Sequence, residues 1–286
     1  MTDRMAARLA RPLLAFVLAV ASLTGSGPLT SPDAAVAAQG PTSATVDPLP
    51  ASPSADVVEG YLRTWLNADR AANGLQPLRL DIRLRTVARD RASTLAVLNV
   101  LDHAAAGDLG TQLTNADVRD FGWGEDIGWT SYAWGQAAAS SLYAMWKHSS
   151  EHWSLMMNPD FNYVGVGLAH RAAGNATYAS IVFTESPDHT APVARLTSAS
   201  RSGATARFAW TGTDVLLQTH TAGLASFDVE YKIGGGSWRT IRTGTHATSL
   251  SLKSRPHGHS YWLSVRARDR AGNLSAWSKP LHVWVP

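Results

Sequence analysis

Cysteine is absent from all 286 residues, which excludes disulfides, thiolate metal ligands and a thiol nucleophile. Stability must therefore come from packed cores, and any metal site from His, Asp or Glu. Charged residues are scarce at 16%, against 45% hydrophobic residues, a globular and not a disordered composition. No Gly-x-Ser-x-Gly elbow occurs, which removes the commonest serine-hydrolase signature. Gly234-Gly235-Gly236 does not open a helix, so it reads as a hairpin turn and not a phosphate cradle. No nucleic-acid-binding motif is present. Long apolar runs are also missing: Pro12–Leu23 is too short to cross a bilayer, which takes about 20 residues.

That run follows Arg4, Arg8 and Arg11 and precedes the small-residue stretch Ala34–Ala38. This is the layout of a secretory signal, cleaved after Ala37 or Ala38. Residues 1–38 are thus expected to be a signal peptide, and the mature chain a secreted protein with no membrane span. Residues 39–54, rich in Pro, Ser, Thr and Ala, read as a linker.

The net charge of +3 is unevenly spread. Residues 55–187 carry 10 Lys+Arg against 14 Asp+Glu; residues 188–286 carry 12 against 5. Two domains of opposite sign are expected. In the first, Asp56 and Glu59 have capping-box spacing, and Val58, Leu62 and Leu66 recur at helical spacing until Gly74. A second helix starts near Asp81, its buried face marked by Leu84, Val87, Ala88, Leu95 and Leu98. Ala137–His148 reads as a third helix, reached through a glycine-bearing loop, Gly122–Gly128. Tyr163–His170 and Thr177–Thr184 read as a hairpin turning at Ala173-Gly174-Asn175. Beyond a hinge at Asp188–Pro192, short runs alternate with turns every eight to twelve residues or so, the pattern of an all-β sandwich.

Three segments in register resemble the bacterial form of the CAP superfamily (SCP-like domains). They are His103 in LDHAAAG, Gly124–Trp129 (GEDIGW), and Trp146–Ala169 with its Trp-x-x-Ser-x-x-His helix and Val-Gly-Val-Gly strand. The resemblance covers roughly residues 56–185. It implies a three-layer α-β-α sandwich with a cleft lined by His103, Glu125 and His152. Ser149 stands where eukaryotic members carry a second glutamate. The sequence departs from the pattern at Asp126, where Asn is usual, and at Ser180-Ile181, where Thr-Gln is common. Pro192–Trp284, with Trp210 in an early strand, Tyr231 in the middle and the run Tyr261–Ser278, resembles a fibronectin III-like, immunoglobulin-like module, so residues 188–286 are expected to form that second domain. That fold carries no chemistry by itself.

Two imidazoles and a carboxylate from distant segments suit Zn2+ or another divalent cation, with a position left for water. The same groups suit acid–base catalysis, with Glu125 and His152 as the acting pair. A rival pattern lies nearby: His148-Ser149-Ser150-Glu151-His152 reads H-x-x-E-H, an inverted zinc-peptidase motif. The expected function is an extracellular or envelope-associated binding protein with a divalent-cation cleft. The alternatives are a metal-dependent hydrolase of peptide or phosphoester bonds, and a lipid-binding scaffold without metal. Expected partners are cell-envelope polymers or lipids. Arg266, Arg268 and Arg270 alternate in the basic domain, as an anion-attracting stripe or as the solvated side of a half-buried strand.

Overall fold

The computed structural model describes residues 53–286; the expected signal peptide and nearly all of the expected linker lie outside the described residues. The first domain opens with helix α1 (Ala55–Ala72), a short strand β1 (Arg79–Leu80) and helix α2 (Ile82–Leu98). A 3-10 turn (Ala104–Ala106) and helix α3 (Leu109–Asn115) lead to strand β2 (Gly122–Thr130). Helices α4 (Gln136–Lys147) and α5 (Ser150–Met156) precede the hairpin of β3 (Tyr163–Arg171) and β4 (Ala176–Glu185). The sheet order is β1-β3-β4-β2, with β1 parallel to β3 and the other pairs antiparallel. Helix α2 covers one face; α1, α4 and α5 cover the other. This is the expected α-β-α sandwich.

The Val-Gly-Val-Gly strand has a steric reason. A Cβ on Gly165 would lie 2.1 Å from the Leu84 carbonyl carbon, and one on Gly167 would lie 2.2 Å from the Arg89 nitrogen. The backbone of α2 rests directly on β3, so no side chain fits between them. Gly122–Gly128, read as a loop, is instead the edge strand β2. Its glycines pack without turning: a Cβ on Gly124 would meet Leu155 at 2.6 Å, and one on Gly128 would meet Met145 at 2.5 Å.

Two helix ends also differ from expectation. Ser54, not Asp56, stands at the N-cap of α1. Asp56 and Glu59 turn to Arg89 of α2 instead, Glu59 accepting at 2.6 and 2.7 Å, so the capping box gives way to a pair between helices. Helix α4, expected over Ala137–His148, ends at Lys147 with His148 as its cap.

The second domain is a sandwich of two antiparallel sheets. One has the order β5-β6-β9, from Val193–Ser202, Thr205–Thr213 and Ser249–Leu252. The other has the order β11-β10-β7-β8, from Leu281–Val285, His259–Asp269, Leu224–Ile233 and Arg239–Thr245. Phe208, Trp210, Phe227, Val229, Tyr261, Leu263, Val265 and Val283 fill the space between them. Strand β5 carries mostly exposed or half-buried residues, so periodicity did not reveal it. Arg266 and Arg268 do share one face, but both turn to Asp228, at 2.9 and 3.9 Å.

The segment read as a hinge is a fixed junction. Asp188 is buried and accepts from the backbone nitrogens of Thr190 and Ala222, each at 2.8 Å. Leu217 of the second domain, 3% exposed, packs among Leu84, Val87 and Tyr163 of the first. Around it, Gln218 accepts from the Gln76 nitrogen at 2.6 Å, and Asn162 donates to the Thr219 carbonyl at 3.1 Å.

Candidate functional site: a histidine pair beside an anchored carboxylate

Glu125 sits on β2 with its side chain 3% exposed. Arg91, 1% exposed, grips it from α2 through Nε to Oε1 at 2.5 Å and Nη2 to Oε2 at 2.6 Å. Ser180 of β4 donates its hydroxyl to Oε1 at 2.6 Å, and His103 meets Oε2 through Nδ1 at 2.7 Å. Burial acts to raise the Glu125 carboxyl. The His103 hydrogen bond, the Arg91 hydrogen bond and charge, and the Ser180 hydroxyl outweigh it and hold the group below its usual range. Both oxygens are therefore engaged and the group is anionic.

Arg91 also shapes the loop that carries His103. It donates to the carbonyls of His103 at 3.0 Å and Gly107 at 2.8 Å, and to Gln112 Oε1 at 3.0 Å. One guanidinium thus fixes both the carboxylate and the loop bearing its histidine partner. Sequence reading missed Arg91, although a signal was present. It falls on the apolar stripe of α2, a turn after Val87 and Ala88 and a turn before Leu95, where a charge needs a buried partner. Arg70 obeys the same rule on α1: fully buried, it donates to the carbonyls of Gln76, Met156, Asn158 and Phe161. Burial pushes its guanidinium down to about 10.

His152 lies on α5 and is half-buried. Its Nδ1 meets Ser149 Oγ at 2.8 Å, and Ser149 in turn donates to Glu151 Oε2 at 3.1 Å. Since Ser149 spends its proton on Glu151, the partner assignment places a proton on His152 Nδ1. The carboxylate places one on His103 Nδ1 in the same way. Each imidazole then turns a bare Nε2 away from its partner, and neither Nε2 has a hydrogen-bond partner among the described residues. Burial pushes His152 below its usual range, and a protonated His103 adds to this.

The inverted motif does not assemble in this way. His148 caps α4 and α5 begins at Ser150, so His148 and His152 do not share a continuous helix. His148 is exposed, its Nδ1 meets the Ala144 carbonyl at 2.7 Å, and it lines a separate groove with Trp65, Asp69 and Tyr143. Asp126, next to Glu125, faces the opposite layer. It is 2% exposed and its Oδ2 has no partner. Burial, with the charge of Glu125, pushes its carboxyl well above the usual range.

Among the described residues, one set of three acidic or histidine side chains has ligand atoms all within 4.8 Å of one another: Asp188, Asp214 and Asp269. It lies at the domain junction. Its carboxylates accept backbone N–H groups of Thr190, Ala222, Val215, Gly223 and Asn273, and so tie the junction loops together.

Residues 64–184 match the sequence model of the Cysteine-rich secretory protein family, CAP. Over 102 residues the chain is 29% identical to Uncharacterized protein YkwD of Bacillus subtilis (strain 168), covering 35% of this chain and 38% of that protein. The match thus spans well under two thirds of the relative's length. An extracellular protein containing a SCP domain from Bacillus anthracis str. Ames aligns at 21% identity and a TM-score of 0.39, covering 45% of this chain and 40% of its own. A Fn3-like protein from Clostridium thermocellum aligns at 24% identity and a TM-score of 0.25, over 34% of this chain and 96% of its own. Residues 64–184 carry the match to the CAP family, and a β-sandwich of two antiparallel sheets follows them.

Proposed function

We propose that the cleft binds a divalent cation through Nε2 of His103 and Nε2 of His152, and that the protein acts as an extracellular, envelope-associated binding protein. The observation that carries this reading is the pair of hydrogen bonds on the Nδ1 atoms. A ligating histidine usually donates its other ring N–H to a carboxylate or hydroxyl, which fixes the tautomer and raises ligand basicity. His103 has Glu125 for this role, and His152 has Ser149 backed by Glu151. Imidazole nitrogen is a good donor for Zn2+, with water filling the remaining positions. A bound cation would supply a charged anchor for an anionic ligand.

Glu125 is an orienting group in this reading and not a ligand. The hydrolase alternative needs a carboxylate free to take a proton from water. Glu125 has both oxygens committed to Arg91, Ser180 and His103, which favours binding over turnover. The apolar run before Ala34–Ala38 supports export. No helix among the described residues is long and apolar enough to cross a membrane.

Titrating the full chain with Co2+ and following its visible absorption tests the reading. Bands of a nitrogen-ligated ion are expected in the wild type and lost in His103→Ala and His152→Ala. Undiminished bands in both variants would remove the histidine pair from the account.

A further inference from the structure

A second pocket lies past the C-terminal end of α2, on the same face of β2 as Glu125 but four residues along it. It measures about 330 Å3 and is lined by Asn99, Leu101, Trp129, Arg171 and Tyr178. Pockets that take small organic ligands start at about this size, and combine an apolar wall with a few convergent polar groups. This one has such a composition.

Trp129 is 38% exposed although it sits on a strand of the central sheet. Tyr178, its cross-strand neighbour on β4, lies alongside with ring centroids 6.4 Å apart and planes 26° apart, and helps fix the exposed indole in place. Tyr178 donates its hydroxyl to Asn99 Oδ1 at 3.1 Å, so the Asn99 amide is oriented with its NH2 donors unspent. Arg171 bonds the Ala173 carbonyl through Nη1 only. Among the described residues no carboxylate lies within ion-pair distance of it. The pocket wall is held in place, since Asn175 donates to the Ser131 carbonyl at 3.1 Å across the hairpin turn.

An exposed indole, an amide donor and a guanidinium without an ion-pair partner suit three parts of one kind of molecule. The apolar C–H face of a pyranose ring stacks on the indole, a ring hydroxyl accepts from Asn99, and a carboxylate takes the free edge of Arg171 as a charge-assisted pair. We propose that this pocket is a binding site for an acidic saccharide, with Trp129 as the stacking platform and Arg171 as the carboxylate-recognising residue. The site is separate from the histidine cleft and its assignment does not rest on cation binding there.

Two matched probe pairs test it with the full chain: N-acetylmuramic acid against N-acetylglucosamine, and glucuronic acid against glucose. Each acid differs from its neutral partner by a carboxyl-bearing group. Binding is read from the indole N–H resonance of Trp129, assigned through Trp129→Phe. The acid of at least one pair should bind about tenfold more tightly than its neutral partner, a difference of about 1.4 kcal/mol. Arg171→Gln, a half-buried change that leaves no buried charge, should abolish that preference and leave weak neutral-sugar binding intact. Trp129→Ala, followed by saturation transfer to the sugar resonances because it lacks the indole reporter, should lose both. Equal affinity for acid and neutral sugar in the wild type, an unmoved Trp129 resonance with all four probes, or an acid preference that survives Arg171→Gln would each overturn the proposal.

Discussion

Arg91 and Glu125 form a two-pronged ion pair at 2.5 and 2.6 Å, with side chains only 1% and 3% exposed, and this pair sets the position of His103. A buried pair contributes little net stability compared with apolar residues of the same shape, but removing one partner is costly.

Arg91→Met should therefore destabilise the protein by about 3–5 kcal/mol, because it strands the Glu125 charge. The double variant Arg91→Met/Glu125→Leu should recover much of that loss. Urea unfolding of the three proteins checks this. A double variant no more stable than the single one would show that the pair is needed for more than mutual neutralisation.

Glu125 and Asp126 give opposite pH dependences. Glu125 has its carboxyl held down in the folded state, so its contribution is present above the unfolded value and is lost as pH falls through the folded one. Asp126 has its carboxyl raised, so the favourable state is the protonated one at low pH. Its contribution falls by up to about 1.4 kcal/mol per pH unit as pH rises between the unfolded and folded values. Asp126→Asn should flatten this slope and raise the melting temperature at pH 7–8 relative to wild type. Parallel melting curves from pH 4 to 9 measure it, and equal slopes would contradict a protonated Asp126.

Gly167→Ala should cost more than Gly124→Ala. The first places a methyl group against the α2 backbone, at Arg89 N and Ala88; the second meets only the Leu155 side chain, which can rotate away. Overpacking costs about 1–3 kcal/mol where neighbours can shift, and Gly167→Ala should exceed that range. Expression yield and thermal unfolding of the two variants provide the comparison.

Leu217→Ala should loosen the junction between the domains, at a cost of about 2–5 kcal/mol to their coupled unfolding. Wild type should unfold in one transition and the variant in two. Differential scanning calorimetry separates the cases, and two transitions in the wild type would show that the domains unfold independently.

The layered architecture and the second domain were legible from periodicity, since the apolar stripes of α1 and α2 and the alternating strands face real cores. His103, Glu125, His152 and Ser149 stood out as candidates through the resemblance, because their motifs stand in register. Arg91 and Ser180 were not, because their partners are distant in sequence and only the fold brings a helix position and a strand position onto one carboxylate. Strand β2 was misread because three glycines in nine residues look like a loop. Gly124 and Gly128 are needed there for packing, to admit Leu155 and Met145 against the backbone. The Asp188–Pro192 segment reads as a hinge between the domains, yet contacts from the loop of residues 214–223 hold it in place. Nothing local encodes that.

The central claim is that two oriented imidazoles bind a divalent cation. Zinc calorimetry on the full chain tests it most directly, with His103→Ala, His152→Ala, His148→Ala and Glu125→Gln beside the wild type. The account predicts one site, lost in the first two variants and unchanged in the third. In Glu125→Gln, which replaces the orienting carboxylate and breaks its ion pair with Arg91, affinity should fall by about 10–100-fold in protein that circular dichroism shows to be folded. Wild-type affinity retained when both His103 and His152 are replaced, or lost through His148 instead, would contradict it.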